Sequence, residues 1–167
     1  EPGAALAIIG TSGVVLAPAA TPEPDLVGDP PGRLNLFCDA TGRGDRPGRW
    51  MLSGCMLSAA GSLEWARAVL APSETFETLI GEANCIAPGS DGLVFLPYLT
   101  GERCPIPDPD ARAGWIGLTR SHTRAHMIRA VLEGVAFGLA QIMDIVGEVA
   151  GRTDAVRVTG GGARSPV

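Results

Sequence analysis

The run Ala4-Ala5-Leu6-Ala7-Ile8-Ile9-Gly10-Thr11-Ser12-Gly13-Val14-Val15-Leu16-Ala17 is two apolar segments parted by a Gly-bounded tetrapeptide. That reads as strand, tight turn and strand, a hairpin. Outward from it, Thr21 to Pro31 carries four prolines and reads as a surface loop. Leu34–Cys38 and Trp50–Cys55 are further strand candidates flanking the polar turn Thr41–Gly48. The first third is therefore predicted to be β-rich and antiparallel. From Ser58 the period changes: Leu63, Ala66 and Leu70 recur at helical spacing, Ser58 or Ser62 is placed to cap, and Pro72 ends the segment. A second helix is expected over Glu74–Cys85 behind a Ser73 cap, then a short buried strand at Leu93–Leu96. The charged, proline-rich loop Gly101–Arg112 and a strand at Trp115–Leu118 lead into the longest helix, Thr123–Ala150. There Ala125, Ile128, Leu132, Val135, Leu139, Ile142 and Val146 form one apolar stripe, with Arg129 and Glu133 an i,i+4 pair beside it. Last, Val156-Arg157-Val158 is a strand that runs into Gly160-Gly161-Gly162-Ala163-Arg164-Ser165. Strands first, then helices interleaved with strands, predict mixed α/β layers.

At 167 residues, 46% of them hydrophobic and 19% charged, the chain has room for one domain and one core, not for two complete lobes of a bilobal enzyme. Thirteen basic residues stand against 18 acidic ones, a formal charge of −5, so neither nucleic acid nor an anionic membrane surface is expected as a partner. All the basic residues are Arg. Without Lys, the Walker-A phosphate site and Schiff-base chemistry are both excluded. No uninterrupted apolar run approaches the roughly 18 residues of a membrane span, and Glu1-Pro2-Gly3 lacks the basic start of a secretion signal. The absence of an initiating Met suggests a piece of a longer chain. Cys38, Cys55, Cys85 and Cys104 lie too far apart for zinc spacing and read as reduced, mostly buried thiols of a cytoplasmic protein.

Three clusters have chemical potential. A strand that ends in Gly160-Gly161-Gly162-Ala163 before a helix start lets backbone approach an anion and points N–H groups at it, although such turns are as often purely structural. The hairpin tip Gly10-Thr11-Ser12-Gly13 has the same character; it donates to a phosphate or simply closes a turn. Ser12 does not sit in a G-x-S-x-G elbow, which disfavours a serine hydrolase. His122 and His126 are i,i+4 at the start of the long helix, but a third metal ligand is missing, so a helix-start or loop-anchoring hydrogen bond is expected. In the loop, Glu102, Arg103, Asp108, Asp110 and Arg112 offer paired carboxylates for acid–base work. With opposite charges so closely interleaved, an internally salt-bridged loop is the expected outcome.

Taken together, Gly10-Thr11-Ser12-Gly13-Val14-Val15, Met56-Leu57-Ser58-Ala59-Ala60-Gly61-Ser62-Leu63-Glu64-Trp65 and Pro97-Tyr98-Leu99-Thr100-Gly101-Glu102-Arg103 resemble, in that order, the C-terminal domain of the FGGY carbohydrate kinases. Ala113-Gly114-Trp115-Ile116-Gly117-Leu118, followed after seven residues by His126-Met127-Ile128-Arg129-Ala130-Val131-Leu132-Glu133, is similar to the family's second signature, and the Gly160–Ser165 run closes the set. Within the family the wording of Leu57-Ser58-Ala59-Ala60-Gly61-Ser62-Leu63-Glu64-Trp65 and Gly101-Glu102-Arg103-Cys104-Pro105-Ile106-Pro107-Asp108-Pro109 is most similar to the xylulokinases.

The resemblance implies an α/β, actin-like ATPase (ribonuclease H-like) domain, with a mixed sheet flanked by helices. It would be the second of two lobes that close over a sugar and MgATP. By the same resemblance, Gly10 and Thr11 approach the β- and γ-phosphates. Gly161, Gly162 and Ala163 hold the α-phosphate and adenosine side, and a helix contributes Ala60, Gly61 and Glu64. Backbone amides and Mg²⁺ then replace the missing lysine in neutralising phosphate charge. The family's catalytic Asp is expected slightly upstream of residue 1, with the sugar-gripping lobe further upstream. The helix that covers adenine is expected to be cut at Val167. Half a cleft implies negligible turnover for this chain alone. The implied parent activity is ATP-dependent phosphorylation of D-xylulose to D-xylulose 5-phosphate. Ribulose, glycerol or gluconate as acceptor, a non-catalytic actin-like nucleotide-binding switch and a remnant that no longer binds anything stay open as alternatives. Exposed apolar surface where the other lobe would pack makes a homodimer possible.

Overall fold

The computed structural model describes residues 4–19, 32–40, 42, 48–151, 153 and 155–164. The Thr21–Pro31 loop, residues 43–47 of the polar turn and Ser165 lie outside the described residues. In chain order the elements are β1 (Ala4–Ile9), β2 (Gly13–Ala19), β3 (Leu34–Cys38), β4 (Trp50–Met56), α1 (Ala60–Leu70), α2 (Phe76–Asn84), β5 (Val94–Leu96), β6 (Gly114–Ile116), α3 (Arg124–Ala150) and β7 (Ala155–Thr159).

The main sheet runs β3-β4-β2-β1-β7. Its first four strands are antiparallel, as expected from the hairpin, with Ile9 opposite Gly13 at the turn. β7 joins the other edge parallel to β1, from Ala4 opposite Ala155 to Ile8 opposite Thr159. Period-two burial of Gly13, Val15 and Ala17 turns one face of β2 inward. With Leu34 of β3 and Leu52 of β4, that face packs on α3 from Val135 onward, through Val135, Ile142 and Val146.

The N-terminal half of α3 belongs to a second apolar cluster with Ala66 of α1, Leu79 and Ala83 of α2, and Phe95 of β5. Trp65 stacks there on Phe95 and Trp115, with centroids 6.2 and 5.6 Å apart, and Phe95 and Trp115 meet at a tilt of 49° and 4.9 Å. One helix thus spans both cores. The buried side of α3 differs from the expected stripe. It includes Ala130, Val131, Gly134, Gly138 and Ile145, while Ala125, Leu132 and Leu139 are only half buried. The cause is contact with backbone: a Cβ on Gly134 would run into the carbonyl of Phe95, and one on Gly138 would lie 3.1 Å from Met56 Cε. Large residues mark an apolar stripe in a sequence, whereas the closest approach here needs small ones. By length and composition α3 would also suit a membrane span, although its apolar residues are interrupted by polar ones; 39% of its most apolar stretch is buried inside the fold, against the two cores.

Several local expectations are corrected. Neither Ser58 nor Ser62 caps α1; Ser62 Oγ donates to the Ser58 carbonyl at 3.1 Å. α2 is capped by Thr75, whose Oγ1 accepts the Thr78 N–H at 3.1 Å, not by Ser73. Of the four thiols only Cys104 is buried; Cys38 and Cys85 are exposed because they fall at the ends of an outer strand and of α2. The Gly101–Arg112 loop is not held mainly by salt bridges. Its one ion pair among the described residues, Arg112 with Asp110, is loose at 3.8 Å and exposed, while Glu102 turns inward at 3% exposure. Backbone bonds between Glu102 and Asp108, at 2.8 and 2.9 Å, close the loop. The helix-start role of the histidines holds. His126 Nδ1 accepts the Thr123 N–H at 3.2 Å, and His122 Nδ1 accepts the Thr119 N–H at 2.9 Å.

Candidate functional site

β1 and β7 are parallel neighbours, so their C-terminal ends lie side by side and the chain leaves both at one edge of the sheet. Ligand crevices form outside the carboxyl ends of such strands. Ile9 ends β1 and leads into the Gly10–Gly13 tip; Thr159 ends β7 and leads into Gly160. The two bends touch at Ile9. Gly160 has φ +99°, and a Cβ there would strike the Ile9 carbonyl, while one on Gly162 would strike the Ile9 side chain. Only glycine permits that approach at Gly160.

The start of α1 forms the third side. The N–H groups of Ala59 and Gly61 donate to the Thr11 carbonyl at 2.8 and 3.1 Å, and the Ala60 N–H donates to the Gly10 carbonyl at 2.9 Å. These bonds satisfy helix-start amides that would otherwise need a side-chain cap. A Cβ on Gly61 would sit 3.0 Å from the Thr11 carbonyl oxygen and 3.1 Å from its Cγ2. The tip and the helix start are therefore locked together. Thr11 is exposed, and its hydroxyl makes no hydrogen bond among the described residues.

A cleft of about 1050 Å³ opens between these parts, with Thr11, Ala60, Gly61 and Glu64 on one side and Gly161, Gly162 and Arg164 on the other. The rest of its lining is largely apolar, with Ala7, Ile9, Val156 and Val158 from the sheet and Val135, Leu139 and Met143 from α3. Six of the eight residues singled out from the sequence line this one cleft; Gly10 and Ala163 do not. Gly10 serves the tip through its carbonyl, which accepts the Ala60 N–H. The sequence reading missed Ile9, Phe76, Glu77 and Arg164 as lining residues. Arg164 adjoins the glycine run and could have been included, whereas no pattern marks Phe76.

Behind the tip lies a second polar group. Burial pushes the Glu102 carboxyl above the usual carboxylate range, against the amides of Arg103 and Leu57, which lower it. Its Oε2 is buried without a partner among the described residues. Burial likewise holds the Cys104 thiol at about 11. No group of three His, Cys, Asp or Glu side chains among the described residues fits a metal ion.

Residues 5–167 match the model for the FGGY family of carbohydrate kinases, C-terminal domain. The chain belongs to that family. It is 34% identical over 163 residues to a xylulose kinase of Bacillus subtilis, covering 98% of this chain and 31% of the relative. It is 36% identical over 170 residues to a gluconokinase of the same organism, covering 95% of this chain and 31% of the relative. Among solved structures, a ligand-bound xylulose kinase from Lactobacillus acidophilus superposes with a TM-score of 0.83 at 30% identity, covering 98% of this chain and 31% of that one. The chain thus spans about a third of the length of its FGGY relatives, and its mixed sheet flanked by helices is the actin-like fold of those sugar kinases.

Proposed function

We propose that this chain is the nucleotide-binding lobe of an ATP-dependent carbohydrate kinase, and that the cleft between the Thr11 and Gly161 bends takes the triphosphate. The observation that carries the reading is that both bends, about 150 residues apart in sequence, line one cleft at the carboxyl ends of two parallel strands. Thr11 offers a hydroxyl and main-chain groups to the β- and γ-phosphates. Gly161, Gly162 and Ala163 supply side-chain-free backbone to the α-phosphate, and Ala60, Gly61 and Glu64 line the nucleotide's flank. Arg164 is the cation nearest the glycine run in sequence and shares the cleft. Mg²⁺ would arrive on the triphosphate, since the described residues hold no carboxylate cluster for it.

In this reading the Asp that deprotonates the sugar hydroxyl lies slightly upstream of residue 1, and the sugar is held by an N-terminal lobe further upstream in the same cytoplasmic enzyme. D-xylulose is the favoured acceptor, from the relatives named xylulose kinase; gluconate follows, from the gluconokinase relatives at comparable identity. Closure of both lobes is needed for positioning, so the isolated chain is expected to bind MgATP without turnover.

Titration calorimetry of the chain with MgATP tests the first half. Binding should also stabilise the fold by about 2.7 kcal/mol at a hundredfold excess over Kd. No heat and no thermal shift at millimolar MgATP would remove the proposal. Coupled ADP release by the full-length enzyme with D-xylulose, D-gluconate and glycerol ranks the acceptors.

A further inference from the structure

Phe76 is the one aromatic side chain among the described residues that line the cleft. It opens α2 and is 38% exposed, an unusual position for a phenyl ring at a helix start. Its ring is held from behind, with the Arg67 guanidinium carbon 4.9 Å from the centroid. Arg67 is itself fixed by donating to the Glu74 carbonyl at 3.2 Å, and its Nε is buried without a partner. A partly desolvated cation makes the stronger cation–π contact and restrains the ring. α1 carries both ends of this arrangement. Gly61 touches the hairpin tip, and Arg67 lies six residues on, about 9 Å along the helix axis. That separation is comparable to the distance from the phosphates to the base in an extended nucleoside triphosphate.

We infer that Phe76, backed by Arg67, is the platform on which the nucleobase stacks. The inference rests on the nucleotide reading of the cleft and adds to it the residue that holds the base. Stacking on a flat ring is tolerant of base identity, so the platform favours purines over pyrimidines by surface and separates ATP from GTP only weakly.

The test is titration calorimetry of the chain with MgATP and, separately, with magnesium tripolyphosphate, which has the phosphates and no base. Phe76→Ala should weaken MgATP by about 10- to 100-fold and leave tripolyphosphate within about twofold. Phe76→Trp should restore MgATP binding and Phe76→Leu should not, with circular dichroism confirming that each variant is folded. MgATP binding unchanged in Phe76→Ala, or restored as fully by Leu as by Trp, overturns the inference. A native chain that binds MgATP no better than tripolyphosphate overturns it while leaving the phosphate site standing. If the native chain binds neither, the nucleotide reading itself falls and the inference with it.

Discussion

Glu102 Oε1 accepts the backbone N–H of Leu57 at 2.9 Å, across 45 residues of sequence, and that of Arg103 at 2.8 Å. Leu57 begins the link from β4 to α1, and two residues on, the Ala59 amide grips the Thr11 carbonyl. A buried carboxyl on the charged loop is thereby connected, by two hydrogen bonds and the short stretch of chain between them, to the hairpin tip. Glu102→Ala leaves two amides without an acceptor and should cost about 1–3 kcal/mol in urea unfolding.

The same carboxyl sets a pH dependence. Burial raises its pKa in the folded state, so the folded chain binds more protons than the unfolded one and stability falls as pH rises. This contribution is fully present below the ordinary glutamate value and is lost as pH climbs through the raised one. Glu102→Gln keeps an oxygen for the two amides but cannot ionise. The stability difference between native chain and variant should therefore shift in the variant's favour as pH rises above the ordinary glutamate range. A difference that stays constant over that rise would contradict the raised pKa.

Gly160 and Gly161 make a controlled pair. Gly160 sits at φ +99° with its missing Cβ against the Ile9 carbonyl, so Gly160→Ala should cost about 1–3 kcal/mol of backbone strain and displace the bend. A Cβ on Gly161 meets nothing within 4 Å, so Gly161→Ala should leave unfolding within about 0.5 kcal/mol of the native chain. If a triphosphate lies against that backbone, Gly161→Ala should nonetheless weaken MgATP about tenfold or more. Equal MgATP affinity in this variant would place the phosphates elsewhere.

The hairpin, β3, β4 and the extent of α3 were legible because each is written in period or in apolar runs bounded by Gly and Pro. Both bends were legible for the same reason. Their convergence was not, because it depends on β7 adding parallel to β1, a pairing over about 150 residues that no local pattern specifies. The caps show the same limit: α2 is capped by Thr75, two positions beyond Ser73, and the start of α1 is held by the Thr11 carbonyl and not by Ser58, because a hydroxyl in sequence does not tell which acceptor lies closer in space. Glu102 reads as one more charge in a charged loop, and only its burial separates it from Asp110.

Thiol chemistry should follow burial. Cys104 is fully buried with its pKa near 11, so almost none of it is thiolate at neutral pH. Burial also raises the Cys55 thiol. Alkylation of the native chain with iodoacetamide should modify the exposed Cys38 and Cys85 first, then Cys55, and reach Cys104 only on unfolding, as peptide mass mapping over time would reveal. Early labelling of Cys104 would mean that β4 and the Glu102 loop separate more readily than their packing implies.

The last prediction concerns the seam between the two cores. Gly134 lies in the middle of a 27-residue helix, where glycine is a poor helix former, so on propensity alone Gly134→Ala should stabilise by up to about 1 kcal/mol. Contact opposes that. The new methyl would run into the Phe95 carbonyl and pack within 3.2–3.4 Å of Phe95 carbon atoms, and backbone in a two-stranded sheet cannot rotate away as a side chain can. Overpacking of this kind costs about 1–3 kcal/mol, which exceeds the propensity gain. Gly134→Ala should therefore destabilise, whereas Gly147→Ala, with nothing within 4 Å, should show the propensity gain without the clash. Urea unfolding of the two variants beside the native chain separates the terms. Stabilisation by both would mean that α3 does not ride as close to β5 as this packing requires.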